Sequence, residues 1–208
     1  SVCANFATLA GNTPAIGTGI WLLQFGSGVP TTPTAPNSAL TGLSLGSNIF
    51  SWNITNGVCP VSTATVEIYR DNNPSLSNAG ANQTVCATTA TLNGNTPAVG
   101  TGSWTLVFGS GNITTPTSPT SGLTALGAGI NVFAWTVTNG SCPPSTSTVS
   151  VQQDLNPTVA NAGPSQTICA LTTANMVGNT AAIGTGTWTL LSGAGTITSP
   201  NLETTGIT

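Results

Sequence analysis

One paragraph of sequence is written three times in this chain, and no other feature restricts its fold as much. "GNTPAIGTGIWLLQFGSGVPTTPTAPN" begins at Gly11, "GNTPAVGTGSWTLVFGSGNITTPTSPT" at Gly94 and "GNTAAIGTGTWTLLSGAGTITSPNLET" at Gly178. Cys3, Cys86 and Cys169 stand 83 residues apart, as do Cys59 and Cys142, and Trp52 and Trp135. Trp21 to Trp104 is also 83 residues and Trp104 to Trp188 is 84, so the third copy gains one residue between Cys169 and Gly178. Residues 3–71 and 86–154, aligned without gaps, share 42 identities in 69 positions. Self-similarity at a fixed long period marks tandem copies of one structural unit. Asp, Asn and Pro cluster at "DNNPSLSNAG" (71–80) and "DLNPTVANAG" (154–163), which reads as linker. Three domains are expected: 1–72, without its first strand; 73–155, complete; and 156–208, without its last strands. The absence of an initiator Met, a signal peptide and an anchor suggests a window on a longer mature polypeptide.

Within a repeat the apolar residues alternate with period two, and no helical period is sustained. Trp104, Leu106 and Phe108 share one face, and Phe133, Trp135 and Val137 another; Trp21, Leu23, Phe25, Phe50, Trp52 and Ile54 repeat the pattern. Gly, Asn and Pro divide the runs, as in an all-β sandwich. Strands are expected at about 79–85, 88–93, 102–109, 130–138 and 145–152, with one or two short ones within 112–126. Trp21, Trp52, Trp104, Trp135 and Trp188 are the expected core.

Charge is scarce. Arg70 is the only base, Glu67, Asp71, Asp154 and Glu203 are the only acids, and there is no Lys or His. That is 2% charged residues, against roughly 25% in ordinary soluble domains. Nucleic-acid binding, which needs Lys and Arg against phosphates, is excluded. Apolar runs of about 18 residues are absent, so no span is expected to cross a membrane. Near-neutral surfaces associate readily, and strand edges without Lys lack the usual guard against edge pairing. Arg70 is also the only tryptic site.

The segments "NAGANQTVCATTATLNGNTP", "GTGSWTL" and "NVFAWTVTNGSCPPSTSTVSV" resemble the PKD-like, immunoglobulin-type repeats of very large surface proteins exported by the type IX secretion system. Gliding adhesins and surface-filament proteins are built from such repeats. The resemblance covers the whole chain through "NAGxxQTxC" and "NGxCPxST". It implies tandem immunoglobulin-like (PKD-like) β-sandwiches stacked head to tail, an extracellular or cell-surface location, and export by a C-terminal signal outside these residues.

Two cysteines per repeat in an exported chain imply disulfides, and two pairings are open. Pairing within a repeat joins Cys3 to Cys59 and Cys86 to Cys142. The alternative follows from the expected sandwich. Cys86 lies at the turn after the first strand, and Cys142 lies in the last hairpin, at the opposite end. Strands of seven or eight residues would separate them by about 20 Å, whereas a disulfide needs Cα atoms within roughly 7 Å. In a head-to-tail string those two ends face each other across a junction. Cys3 is then expected to pair with Cys142, and Cys59, Cys86 and Cys169 with cysteines outside the chain.

Nothing else in the sequence suggests chemistry. "GTGSW" and "GSGN" lack the helix and Lys of a phosphate loop, and there is no His or Lys to act as a general base. No catalytic, cofactor or metal residues are assigned. Asp71 and Asp154 occupy one repeat position at the linker, where an Asx turn is favoured over a Ca²⁺ site needing six or more oxygens. Asn53, Asn82, Asn112 and Asn139 match the glycosylation acceptor pattern, which so Asn-rich a sequence generates by chance; the candidate partners are neighbouring copies of the repeat and surface glycans met by its loops. The expected role is a non-enzymatic structural segment of an extracellular fibre or stalk. The alternatives are an adhesin or carbohydrate-binding module using loops 26–42 and 109–125, and a passive spacer presenting a distant domain.

Overall fold

A computed structural model describes residues 1–169 and 173–208. They form two compact units, Ser1–Gln152 and Gln153–Thr208. All regular structure among the described residues is β. The first repeat contains β1 (Phe6–Thr8), β2 (Thr18–Phe25), β3 (Val29–Pro30), β4 (Ala39–Thr41), β5 (Gly46–Thr55) and β6 (Ser62–Arg70). The second contains β7 (Gln83–Val85), β8 (Ala90–Asn93), β9 (Thr101–Phe108), β10 (Asn112–Ile113), β11 (Thr120–Thr124), β12 (Gly129–Thr138) and β13 (Ser145–Gln153). The third contains β14 (Ala174–Val177) and β15 (Thr204–Ile207).

In the second repeat the sheets run β7-β13-β12-β9 and β10-β11-β8. Four strands facing three, with the last two strands central in the larger sheet, make an immunoglobulin-like sandwich. The first repeat keeps β2-β5-β6 and β1-β4-β3. In place of β7 it has a single parallel bridge from Val2 to Arg70. The consequence appears in the core: Val149 on β13 is 1% exposed, while its counterpart Val66 on β6 is 37% exposed.

Both cores are built around one cross-strand pair of indoles. Trp104 lies opposite Trp135 in the β9–β12 register, with ring centroids 5.0 Å apart; Trp21 and Trp52 repeat this at 4.9 Å. The rings fit because Gly102 has no side chain: a Cβ there would overlap the Trp135 ring. That close approach explains the Gly in "GTGSW". Leu92, Leu123, Leu126, Phe133, Val137, Val149 and Val151 close the cluster.

Three expectations need correction. Leu106 and Phe108 are 42% and 64% exposed. Leu106 pairs with Phe133 and Phe108 with Val132, leaving Val107 unpaired as a bulge. The extra residue turns Phe108 to the outer face, and Leu106 is left at the rim of an edge strand. The same slip around Gln24 turns Phe25 outward, and Leu23, like Leu106, is left at the rim of an edge strand. Trp188 is half-buried, because residues 156–208 contain no counterpart of β12 to set a second indole against it. Thirdly, the edge carrying Trp104 has a guard. The Trp104 N–H donates to the Pro116 carbonyl at 2.8 Å, with Trp21 to Pro33 (2.8 Å) and Trp188 to Pro200 (2.7 Å) in the other copies. The threonine–proline paragraph thus folds back over the strand that precedes it, and covering an edge with a loop is one of the ways sheets avoid unwanted pairing.

One internal clamp goes beyond the sequence reading. Asn131, 1% exposed, accepts from the Ser110 N–H and donates to the carbonyls of Gly127, Gly129 and Val151. Asn48 does the same work in the first repeat. A buried amide that satisfies its polar atoms this way ties two loops to β13 or β6.

The bulge separates two phenylalanines that the alternation treats alike. Phe133→Ala is expected to cost about 3–5 kcal/mol of unfolding free energy, and Phe108→Ser about 0.5 kcal/mol or less. Urea denaturation of the chain, followed by near-UV circular dichroism, measures both.

Candidate functional site at the junction of the first two repeats

The residues between the first two repeats form a connected polar cluster. β6 ends at Arg70, and Asp71 follows as the chain turns out of the first sandwich. Across the gap stands the hairpin between β12 and β13, residues 139–144. The Cys142 N–H donates to the Asn139 carbonyl, closing a tight turn that places Gly140 and Ser141 at its tip. Asp71 Oδ2 accepts from both the Ser141 N–H and its hydroxyl, each at 2.8 Å. Asn139 Nδ2 donates to the Asn72 carbonyl at 2.8 Å.

Beside this clasp Cys3 and Cys142 are joined by a disulfide, with Cα atoms 4.7 Å apart and a sequence separation of 139. Cys3 lies in the turn before β1, at the end of the first repeat that faces the tip. Cys142 is 6% exposed. The first two repeats are therefore tethered by the peptide and by one S–S bond, with the Asp71 clasp between the tethers. Cys59, Cys86 and Cys169 lie exposed outside this bond.

Gly140 is required by the clasp. Its φ is 52°, and a Cβ would overlap the Asp71 carboxylate. Gly57, its counterpart in the first repeat, has φ 55° but nothing within 4 Å. The same backbone turn is thus seen once engaged and once open.

The Ser141 N–H, then its hydroxyl, then Ser1 hold the Asp71 carboxyl below the ordinary carboxylate range. A carboxylate whose pKa is lowered by the folded contact stabilises that contact above its unfolded value. The contribution is lost as pH falls through the lowered folded value.

The expected Asx-turn role for Asp71 is replaced by this contact across the junction. Part of the signal lies in the sequence, since Asp71 recurs as Asp154 and the N-G-x-C frame at 56–59 and 139–142, with Val58 in place of Ser141, but pairing the two requires knowing which ends meet. Trp21, Trp52, Trp104 and Trp135 are buried and offer no flat sugar platform. Of the acceptor-pattern asparagines, Asn139 is used in the clasp and Asn82 Oδ1 accepts from the Ser150 N–H. Among the described residues no group of three His, Cys, Asp or Glu side chains is placed to hold a metal. No helix among them is long and apolar enough to cross a membrane.

No protein-family model matches the sequence, and no curated protein matches it. Among solved structures, murine CEACAM1b is similar over 74% of this chain and 94% of its own, at 14% identity and TM-score 0.48. The N-terminal eight immunoglobulin domains of the Down syndrome cell adhesion molecule are similar over all of this chain and 36% of theirs, at 11% identity and TM-score 0.41. The insect immune protein hemolin is similar over 74% of this chain and 44% of its own, at 10% identity and TM-score 0.37. The chain spans less than half the length of the latter two. The immunoglobulin-like description rests on the strand order given above.

Two outcomes test the clasp. Gly140→Ala is expected to lower the equilibrium constant for the Cys3–Cys142 disulfide in a glutathione buffer at least about tenfold, equivalent to 1.4 kcal/mol. Gly57→Ala should leave that constant unchanged. The Ser141 amide proton should titrate with Asp71, moving at a pH below the ordinary carboxylate range, and Asp71→Asn should abolish that titration in NMR spectra.

Proposed function

We propose that the chain is a non-enzymatic structural segment of an extracellular fibre or surface stalk. In this reading, copies of one sandwich are joined end to end and each junction is stiffened by a disulfide and a carboxylate clasp. The observation that carries it is the bond between Cys3 and Cys142, which joins consecutive repeats rather than closing one. A second tether resists bending at a junction that one peptide link would leave free to hinge. Extended periodically, the pattern pairs Cys59, Cys86 and Cys169 with cysteines of neighbouring repeats outside these residues.

An oxidising, extracellular setting suits such a bond, in keeping with the resemblance to type IX-exported, PKD-like surface repeats. The scarcity of charge favours lateral contact between copies that is insensitive to salt. The bulged strands supply apolar contacts for it: Phe25 and Phe108, at one repeat position, are 61% and 64% exposed. The adhesin reading draws less support, since loops 26–42 and 109–125 are spent in part on covering the Trp21 and Trp104 strands.

A staple between repeats redirects tension. Force applied at the chain ends passes from Cys3 through the S–S bond to Cys142 and bypasses the 138 residues from 4 to 141. Single-molecule stretching of the oxidised chain is expected to release none of that length. Added reductant should release about 450–500 Å more, at roughly 3.3–3.6 Å per residue. Equal contour lengths before and after reduction would contradict the proposal.

A further inference from the structure

The junction hairpin carries a pair of residues able to react with each other. Asn followed by Gly occurs at 56–57, 93–94 and 139–140. Glycine has no Cβ, so its backbone nitrogen lies unshielded beside the asparagine amide. Once deprotonated, that nitrogen attacks Asn Cγ. The new C–N bond closes a five-membered imide, the Cγ–Nδ2 bond breaks, and the displaced amide takes up the proton and leaves as ammonia. Water then opens the imide at either carbonyl. One water is consumed and one ammonia released. A carboxylate replaces the amide, as aspartate or, with the chain rerouted through Cγ, as isoaspartate.

Within the second repeat the fold treats two such pairs differently. Asn93 ends β8 opposite Thr120, and the Gly94 N–H donates to the Pro119 carbonyl at 2.9 Å. The attacking nitrogen there is occupied inside the sandwich. Gly140 is exposed at the hairpin tip, and among the described residues its N–H has no hydrogen-bond partner. What restrains this pair is the junction. Asn139 Nδ2, the leaving group, donates to the Asn72 carbonyl at 2.8 Å. Gly140 packs on the Asp71 carboxylate, which also holds Ser141. Closing the imide swings the Asn139 side chain onto the Gly140 nitrogen and breaks the bond to Asn72. The Asp71 charge also opposes loss of a proton from that nitrogen, since like charges disfavour each other.

We propose that Asn139 is a site of self-modification gated by the Cys3–Cys142 bond, an inference that rests on the junction reading above. With the bond closed, the clasp keeps the amide intact. With the bond reduced, the two repeats hinge apart, Asn139 leaves Asn72, and the imide forms. The product then opposes reclosure. A carboxylate only accepts hydrogen bonds, so it meets the Asn72 carbonyl with no proton between them, and it adds a second negative charge beside Asp71. Isoaspartate also lengthens the backbone of the turn by one carbon ahead of Cys142. A junction opened by reduction thus loses with time its capacity to close again, whereas one kept oxidised retains it.

The test incubates three samples at mildly alkaline pH: the oxidised full chain, the full chain in reductant, and its Cys3→Ser variant. Peptide mass spectrometry then reads the amide-to-acid mass gain at Asn139 and Asn93. Asn139 is expected to convert at least about tenfold faster in both open chains, equivalent to 1.4 kcal/mol, while Asn93 stays slow and equal in all three. Asn139→Asp should lower the equilibrium constant for the Cys3–Cys142 bond in a glutathione buffer at least about fivefold, the scale of one lost hydrogen bond. Equal conversion of Asn139 in open and closed chains overturns the proposal. An acceleration shared by Asn93 does so too, because it assigns the effect to unfolding of the sandwich. So does an Asn139→Asp chain whose disulfide constant is unchanged. If the oxidised chain lacks the Cys3–Cys142 bond, the fibre reading fails as well; equal rates in a chain that holds the bond leave that reading standing.

Discussion

Everything in a repeat is arranged around two indoles on adjacent strands. Trp104 and Trp135 meet at 5.0 Å, and such a pair contributes about 0.5–1.5 kcal/mol beyond the burial of its area. Its larger effect is on the residues around it. Gly102 must be glycine so that one ring can lie on the backbone of the neighbouring strand. The Trp104 ring nitrogen reaches the carbonyls of Ser118 and Pro119, which holds the threonine–proline loop across the strand edge. With only 2% charged residues, the chain relies on fitted apolar surface and neutral hydrogen bonds for order.

The junction extends the same economy outward. The sandwich puts the turn at Cys3 and the hairpin at Cys142 at facing ends of successive repeats, so one S–S bond links two folded bodies rather than two strands of one. Closing a loop of more than a hundred residues stabilises the folded state by about 5 kcal/mol in the chain-entropy picture. Asp71 orients the hairpin tip with its two bonds to Ser141. It is one of four acids in the chain, and its charge is placed where a hydroxyl and an amide converge.

Much of this order is legible in the sequence, and the exceptions share a cause. Period-two alternation and turn residues locate β8, β9, β12 and β13 to within about two residues, because burial on one face leaves a direct trace. The trace fails where one residue shifts the register: the bulge at Val107 sends Phe108 outward although it matches Trp104 in phase. It fails again at Asn131, since a polar residue in a strand reads as surface unless the loops it clamps are known. The function of the "TTPTSPT" paragraph, and the pairing of Asp71 with Ser141, depend on contacts between segments far apart in sequence. The 83-residue cysteine spacing is compatible with bonds within or between repeats; only the ends at which the turns lie distinguish them.

The claim on which the rest turns is that a disulfide joins consecutive repeats. Its most direct test is peptide mapping of the native chain, digested without reductant after free thiols are blocked. The account requires a peptide containing Cys3 linked to one containing Cys142. A Cys86–Cys142 or Cys3–Cys59 linked pair would contradict it, closing each sandwich on itself and leaving the junction a single flexible strand.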